Sequence, residues 1–130
     1  MPSSWEYFIE NSETLDALLK TLERFLSSTD YVEERNGETC VVEVRGKVGD
    51  IDGYKIEIYS NEHHLPHFHV VKGSVKMAAY TIIECKRING NLSAKLEKKI
   101  LFFHKLAKNK LVKYWNNTRP GNHISGEGKV

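Results

Sequence analysis

The chain has 130 residues, the size of one domain built around one hydrophobic core. Apolar residues make up 40% and charged residues 28%, which excludes a disordered tail and a membrane-spanning protein. The first residues lack a basic stretch followed by an apolar segment, so we expect no secretory signal and a cytoplasmic location. Cys40 and Cys85 match no redox or zinc motif and are expected to be reduced thiols.

The charge of the chain is unevenly distributed. Residues 1–92 hold 10 Lys/Arg against 15 Asp/Glu, whereas residues 93–130 hold 9 against 2. A basic C-terminal third favours a polyanion such as nucleic acid, with Lys98, Lys99 and Lys105 as the candidate phosphate contacts. The alternative is a solvated lysine face on an ordinary helix.

The N-terminal region is predicted to contain one helix over residues 12–28, capped by Ser12 or Asn11. Six apolar side chains form a stripe along it at helical spacing. They are Leu15, Leu18, Leu19, Leu22, Phe25 and Leu26. We expect this stripe to be buried in a core or an interface, and we expect a short turn or strand over residues 5–9.

The middle of the chain alternates with a period of two residues, which is typical of strands. Strands are predicted over residues 39–45, 54–59, 66–72 and 75–83. The links between them are too short for crossover helices, which favours an antiparallel meander of four or five strands. Ser93 then caps a C-terminal helical segment, one long helix or two shorter ones, followed by a mobile tail over 117–130. The predicted fold is a single α+β domain with its helices on one face of the sheet.

Four of the six histidines lie within residues 63–69. His67 and His69 are two apart on a predicted strand, so both imidazoles leave the same face. The turn before them can bring His63 back towards the pair, and three histidines with an open position are typical of a catalytic zinc site. One zinc-like divalent ion is therefore one hypothesis. Acid–base catalysis without a metal and a purely structural polar seam are the alternatives.

The same segment resembles a known family. Residues 54–63, which end in Asn-Glu-His, and the run Pro66-His67-Phe68-His69-Val70 are similar to the small bacterial proteins grouped as domain-of-unknown-function family 4160. The resemblance covers about residues 54–116, and residues 1–50 form an extension that carries the predicted helix. It implies a small prokaryotic α+β domain associated with toxin–antitoxin or defence systems.

These observations support two hypotheses about function. The first is a small toxin-like enzyme acting on nucleic acid, a phosphodiesterase or ribonuclease-like hydrolase with possible metal assistance. Its catalytic and metal-binding residues would be His63, His67 and His69, and the three lysines named above would contact the phosphate backbone. The second is a non-catalytic interaction module, the partner or antitoxin of a two-gene pair or a homodimer, whose histidines are structural. No membrane partner is expected.

Overall fold

The computed structural model describes residues 3–44, 53–61 and 64–118. Its helices are α1 (Ser4–Glu10), α2 (Leu15–Ser27) and α3 (Ala94–Thr118). Its strands are β1 (Tyr31–Arg35), β2 (Glu38–Val42), β3 (Tyr54–Asn61), β4 (His64–Lys72), β5 (Val75–Thr81) and β6 (Arg87–Gly90). The α+β fold with antiparallel strands is confirmed. None of the helices in these ranges combines the length and the apolar character that crossing a membrane requires.

The N-terminal helical region consists of two helices rather than one. Residues 5–9, expected as a turn or strand, lie in α1, which ends at Asn11 as its C-cap. The N-cap of α2 is Thr14, so the expected caps were wrong. The Ser12 hydroxyl donates to the carbonyl of Phe8 at 2.6 Å and is therefore occupied by the preceding helix.

The strands form two antiparallel sheets where one meander was expected. β1 and β2 make a two-stranded sheet, and the other four follow the order β3-β4-β5-β6. β1 was not predicted, although Asn36 (φ 53°) and Gly37 (φ 80°) form the left-handed turn typical of a tight hairpin. β6 was also missed, and all four of its residues are exposed. Most of the link between the strands predicted at 39–45 and 54–59 lies outside the described residues.

One hydrophobic core lies between the four-stranded sheet and the helices. Its sheet side includes Ile56, Phe68, Val70 and Tyr80, and its helix side includes Leu18, Leu22, Ile100 and Phe103. The predicted leucine stripe of α2 is thus buried within its own chain, with Phe25 in a second cluster beside Val32 and Phe102. Burial of this apolar face supplies most of the stability of such a helix.

α2 also closes the free edge of β3. The Glu23 carboxylate accepts from the backbone N–H of Ile56 at 2.8 Å, and the Ser27 hydroxyl oxygen accepts from that of Tyr54 at 2.7 Å. An uncovered edge strand offers its N–H groups to other chains. Side chains of α2 therefore cover the first part of this edge, which attaches the N-terminal segment to the sheet.

Of the two predicted forms of the C-terminal helical segment, the structure has the single long helix, α3. The predicted cap is confirmed, because Ser93 Oγ accepts from the N–H of Leu96 at 3.2 Å. Near the other end, Lys110 and Tyr114 both donate to the carbonyl of Ser12, which ties α3 to the link between α1 and α2. Beyond Thr118, the predicted mobile tail lies outside the described residues.

Candidate functional site

β4 directs its side chains alternately to the two faces of the four-stranded sheet. Phe68 and Val70 are buried in the core, so His67 and His69 lie on the opposite face. The three described helices all contribute to the core side. We call the opposite face, at Glu57, His67, His69 and Lys76, the histidine face.

Antiparallel pairing places these four residues close together. Glu57 of β3 is directly opposite His69 of β4. Lys76 of β5 is opposite Val71, two residues from His69 on the same face. Residues directly opposite each other have Cβ atoms about 4.5–5.5 Å apart. The face therefore carries two imidazoles, a carboxylate and an ammonium within reach of one bound group.

The two imidazoles are in ring contact, with centroids 5.1 Å apart and planes inclined at 58°. Burial lowers the pKa of His69 below its ordinary value of 6.5, and positive charge on His67 and Lys76 lowers that pKa further. The Glu57 carboxylate acts in the opposite direction. His69 is therefore neutral at pH 7, the form that can accept a proton or bind a metal ion.

The spacing of the rings fits two ligands of one zinc ion. Zinc lies about 2.0–2.1 Å from each ligating nitrogen, so two tetrahedral imidazole ligands have ring centroids about 5.2 Å apart. The observed value is 5.1 Å. Within the described residues, however, no group of three His, Cys, Asp or Glu side chains could hold a metal ion. His63, the third predicted ligand, lies outside the described residues.

The lysines predicted to contact phosphate lie on α3, across the sheet from the histidine face. Lys98 and Lys105 are exposed and flank a small cavity between α3 and the β1–β2 hairpin. Lys99 is only 1% exposed, and its ammonium donates to the carbonyls of Phe25 (2.9 Å) and Ser28 (3.0 Å). Lys99 caps the C-terminal end of α2 and has no surface left for a phosphate contact, which corrects that expectation.

Sequence reasoning did not select Glu57 or Lys76. Glu57 could have been found, because period-two alternation places it opposite the core face of β3, and a tight pairing with β4 brings it beside His69. Lys76 could not. A bulge shifts the register between Val70 and Val71, so that Val70 pairs with Ala78 but Val71 pairs with Lys76. Alternation without that bulge would assign Lys76 to the wrong face.

Comparison with known proteins identifies the histidine-bearing part of the chain. Residues 53–116 match a family described as a domain of unknown function, DUF4160. The match begins just before β3 and ends two residues before the end of α3, so it includes the whole histidine face and leaves out α1, α2, β1 and β2. It confirms the predicted resemblance. No curated protein and no solved structure matches the chain.

Proposed function

We propose that the segment at residues 53–116, which matches the DUF4160 family, is a toxin-like ribonuclease that cleaves single-stranded RNA at the histidine face. The observation that carries the proposal is the contact of His67 with a neutral His69 on a face that also bears Lys76. Cleavage through a ribose 2′-hydroxyl needs a general base, a general acid and a cation for the phosphate. The histidine face offers all three.

The proposed reaction is a transfer within the RNA backbone. His69 removes the proton of the 2′-hydroxyl, and the freed oxygen forms a bond to the adjacent phosphorus. The bond from phosphorus to the 5′-oxygen of the next nucleotide breaks, and His67 as imidazolium gives its proton to that oxygen. The Lys76 ammonium stabilises the charge that develops on the non-bridging oxygens. The products are a 2′,3′-cyclic phosphate and a 5′-hydroxyl, with no oxidant or reductant consumed.

The exposed lysines of α3 have a different role in this proposal. Lys98 and Lys105 lie across the sheet from the reacting groups, so they do not act on the phosphate being cleaved. They are proposed as backbone contacts for a longer strand, which adds affinity without sequence preference. Replacing both by glutamate is expected to weaken binding of long RNA, with steep salt dependence, and to leave cleavage of a dinucleotide unchanged.

The test compares RNA with its 2′-O-methyl counterpart as substrate for the untagged protein. We expect the RNA to yield cyclic-phosphate ends and the methylated strand to stay intact. His67→Ala and His69→Ala each lower the rate, by about 10²- to 10⁴-fold, because a positioned acid or base supplies that much. Lys98→Gln, exposed and on the opposite side, is the matched control and keeps the rate on a short substrate.

Two results would contradict the proposal. The first is cleavage of the methylated strand at the same rate, since that reaction cannot use the 2′-hydroxyl. The second is the absence of cleavage by folded protein across single-stranded sequences. In that case the remaining reading is the interaction module with structural histidines. Growth arrest on expression of the wild type but not of His67→Ala would support the toxin-like activity.

A second candidate keeps the substrate and adds a metal ion, and the ring spacing of 5.1 Å is the observation in its favour. His67 and His69, with His63, would hold one zinc-like divalent ion, which activates a water molecule or polarises the phosphate when bound. Elemental analysis of untagged protein is the test. About one equivalent of zinc, lost in His67→Ala and released as the pH falls below about 6.5, supports this candidate. Activity that survives removal of all divalent ions would contradict the metal-dependent candidate and support catalysis by His67 and His69 without a metal.

A further inference from the structure

A second recess lies on the core side of the sheet, away from the histidine face. It is an open cleft of about 480 Å³ bounded by the C-terminal end of α2, the starts of β1 and β3, and the first turn of α3. Its wall includes three consecutive hydroxyl-bearing residues, Ser27, Ser28 and Thr29. A volume of this order is typical of sites for small molecules. We call this recess the α2–α3 cleft.

The charge of the α2–α3 cleft is positive. Two lysines line it, Lys95 and Lys99, and no carboxylate among the described residues does so. Lys95 is exposed, and its ammonium lies 5.5 Å from the ring centroid of Tyr31. The Lys99 ammonium donates to the carbonyls of Phe25 and Ser28 and interacts with the Asp30 carboxylate, so it adds to the field of the cleft without contacting a ligand. The first turn of α3 contributes the positive end of its helix dipole, which offsets the negative end that α2 contributes, so the two lysines determine the sign of the charge. This combination favours an anion.

The same wall offers hydrogen-bond donors and aromatic surface. Ser27 Oγ accepts from the N–H of Tyr54 at 2.7 Å, which leaves its own O–H to donate to a ligand. The half-buried rings of Tyr31 and Tyr54 both line the cleft. The Tyr54 ring has the ammonium of Lys72 at 5.1 Å from its centroid. An anionic group beside a flat ring is the ligand chemistry that such a wall accommodates.

We propose that the α2–α3 cleft binds a phosphorylated small molecule with a planar ring, of the nucleoside monophosphate class. Its phosphate lies against Lys95 and the Ser27 hydroxyl, in the field of Lys99. Its ring lies beside Tyr31 and Tyr54, the two aromatic residues of the wall. This site uses none of the residues of the histidine face, so it stands or falls independently of the proposed ribonuclease activity.

The test titrates adenosine monophosphate, adenosine and inorganic phosphate into the full chain, by calorimetry and by amide NMR shifts. We expect the monophosphate to bind at least about tenfold more tightly than either fragment, since each supplies half of the contacts. The largest shifts should fall at Ser27, Thr29 and Lys95.

Matched variants on α3 separate the cleft from general attraction by a basic helix. Lys95→Gln is exposed and should fold normally while weakening monophosphate binding about tenfold. Lys98→Gln, also exposed but facing the β1–β2 hairpin, should leave it unchanged. Equal loss in both variants, no saturable binding of the monophosphate, or equal affinity for phosphate alone would each overturn the proposal.

Discussion

Replacing Lys99 by methionine removes two hydrogen bonds that join α3 to the end of α2. The side chain is 1% exposed, and its ammonium donates two hydrogen bonds to carbonyls at the end of α2. Burial, and secondarily the charge of Lys95, lowers the pKa of Lys99 from 10.5 to about 8. The group is therefore still largely protonated at pH 7, where it remains a charged donor to both carbonyls.

The expected magnitude follows from the proton balance. The unfolded chain binds more protons than the folded chain between pH 8 and pH 10.5, so this group makes folding more favourable as the pH rises. The full difference between those pKa values corresponds to ~3 kcal/mol, of which ~1 kcal/mol is recovered between pH 7 and pH 9. The methionine variant loses hydrogen bonds worth ~1.5–3 kcal/mol each but is relieved of burying the charge. The two bonds together are worth ~3–6 kcal/mol against a burial penalty of ~3 kcal/mol, so the variant is expected to be equally or less stable at pH 7, and the pH dependence is the sharper measurement.

Urea unfolding of the wild type and Lys99→Met at pH 7 and pH 9, under reducing conditions, measures this dependence. We expect the stability of the wild type relative to the variant to increase by ~1 kcal/mol at the higher pH. Lys98→Met, one residue earlier and exposed, should show no such change. A stability difference that is equal at both pH values, or that moves in favour of the variant, would refute the assigned role of the buried ammonium.

Three further substitutions test the core and the turns. Leu22 is 1% exposed, so Leu22→Ala is expected to cost about 2–5 kcal/mol in urea unfolding, and an unchanged midpoint would contradict its placement. Burial lowers the pKa of His104 below 6.5. As the pH falls below 6.5 this histidine therefore binds a proton more readily in the unfolded chain than in the folded chain, and the free energy of unfolding decreases. His104→Gln should make the free energy of unfolding depend less on pH in this range. Gly90 has φ +71°, and a Cβ at this position would lie 2.1 Å from the carbonyl oxygen of Met77. Gly90→Ala should therefore lower the melting temperature far more than the control Gly73→Ala, because a Cβ at Gly73 has no atom within 4 Å.

The sequence predicts well those features that depend only on the spacing of residues within one helix or one strand. His67 and His69 share a face because alternation along one strand is sufficient to decide it. The apolar stripe of α2 and the Ser93 cap of α3 are equally local, and the structure confirms both. Short strands cannot be predicted in this way. β1 and β6 are five and four residues long, and the residues of β6 are all exposed, so they carry no hydrophobic alternation.

The remaining features depend on contacts between distant parts of the chain. A hydrophobicity pattern assigns Lys99 to the polar surface of its helix. In the structure its aliphatic stem is buried, and its ammonium donates to two carbonyls more than 70 positions away in the sequence. The closure of the β3 edge by Glu23 likewise depends on the packing of α2, which no spacing in the sequence encodes. The bulge that turns Lys76 to the histidine face is a third such case.

Two parts of the chain pack together as one folded unit. They are the described N-terminal segment, residues 3–44, and the family-matched domain. Side chains of α2 pair with the β3 backbone, and α3 is tied by Tyr114 to the carbonyl of Ser12 and by Lys99 to α2. One core cluster contains residues of both segments. Removing α1 and α2 would expose the edge of β3 and the apolar side of α3 together.

We therefore predict a single unfolding transition, measurable with the two tryptophans as separate probes. Trp5 donates to Asp30 at 2.6 Å and packs on Phe25 with centroids 5.1 Å apart, so it reports on the N-terminal segment. Trp115 is fully buried in the family-matched domain. In Trp115→Phe and Trp5→Phe, each retaining one tryptophan, the fluorescence midpoint in urea should coincide with the circular dichroism midpoint of the same variant. Loss of the Trp5 signal at lower urea than the helical signal would show that the N-terminal segment unfolds first, and that the closed β3 edge opens without global unfolding.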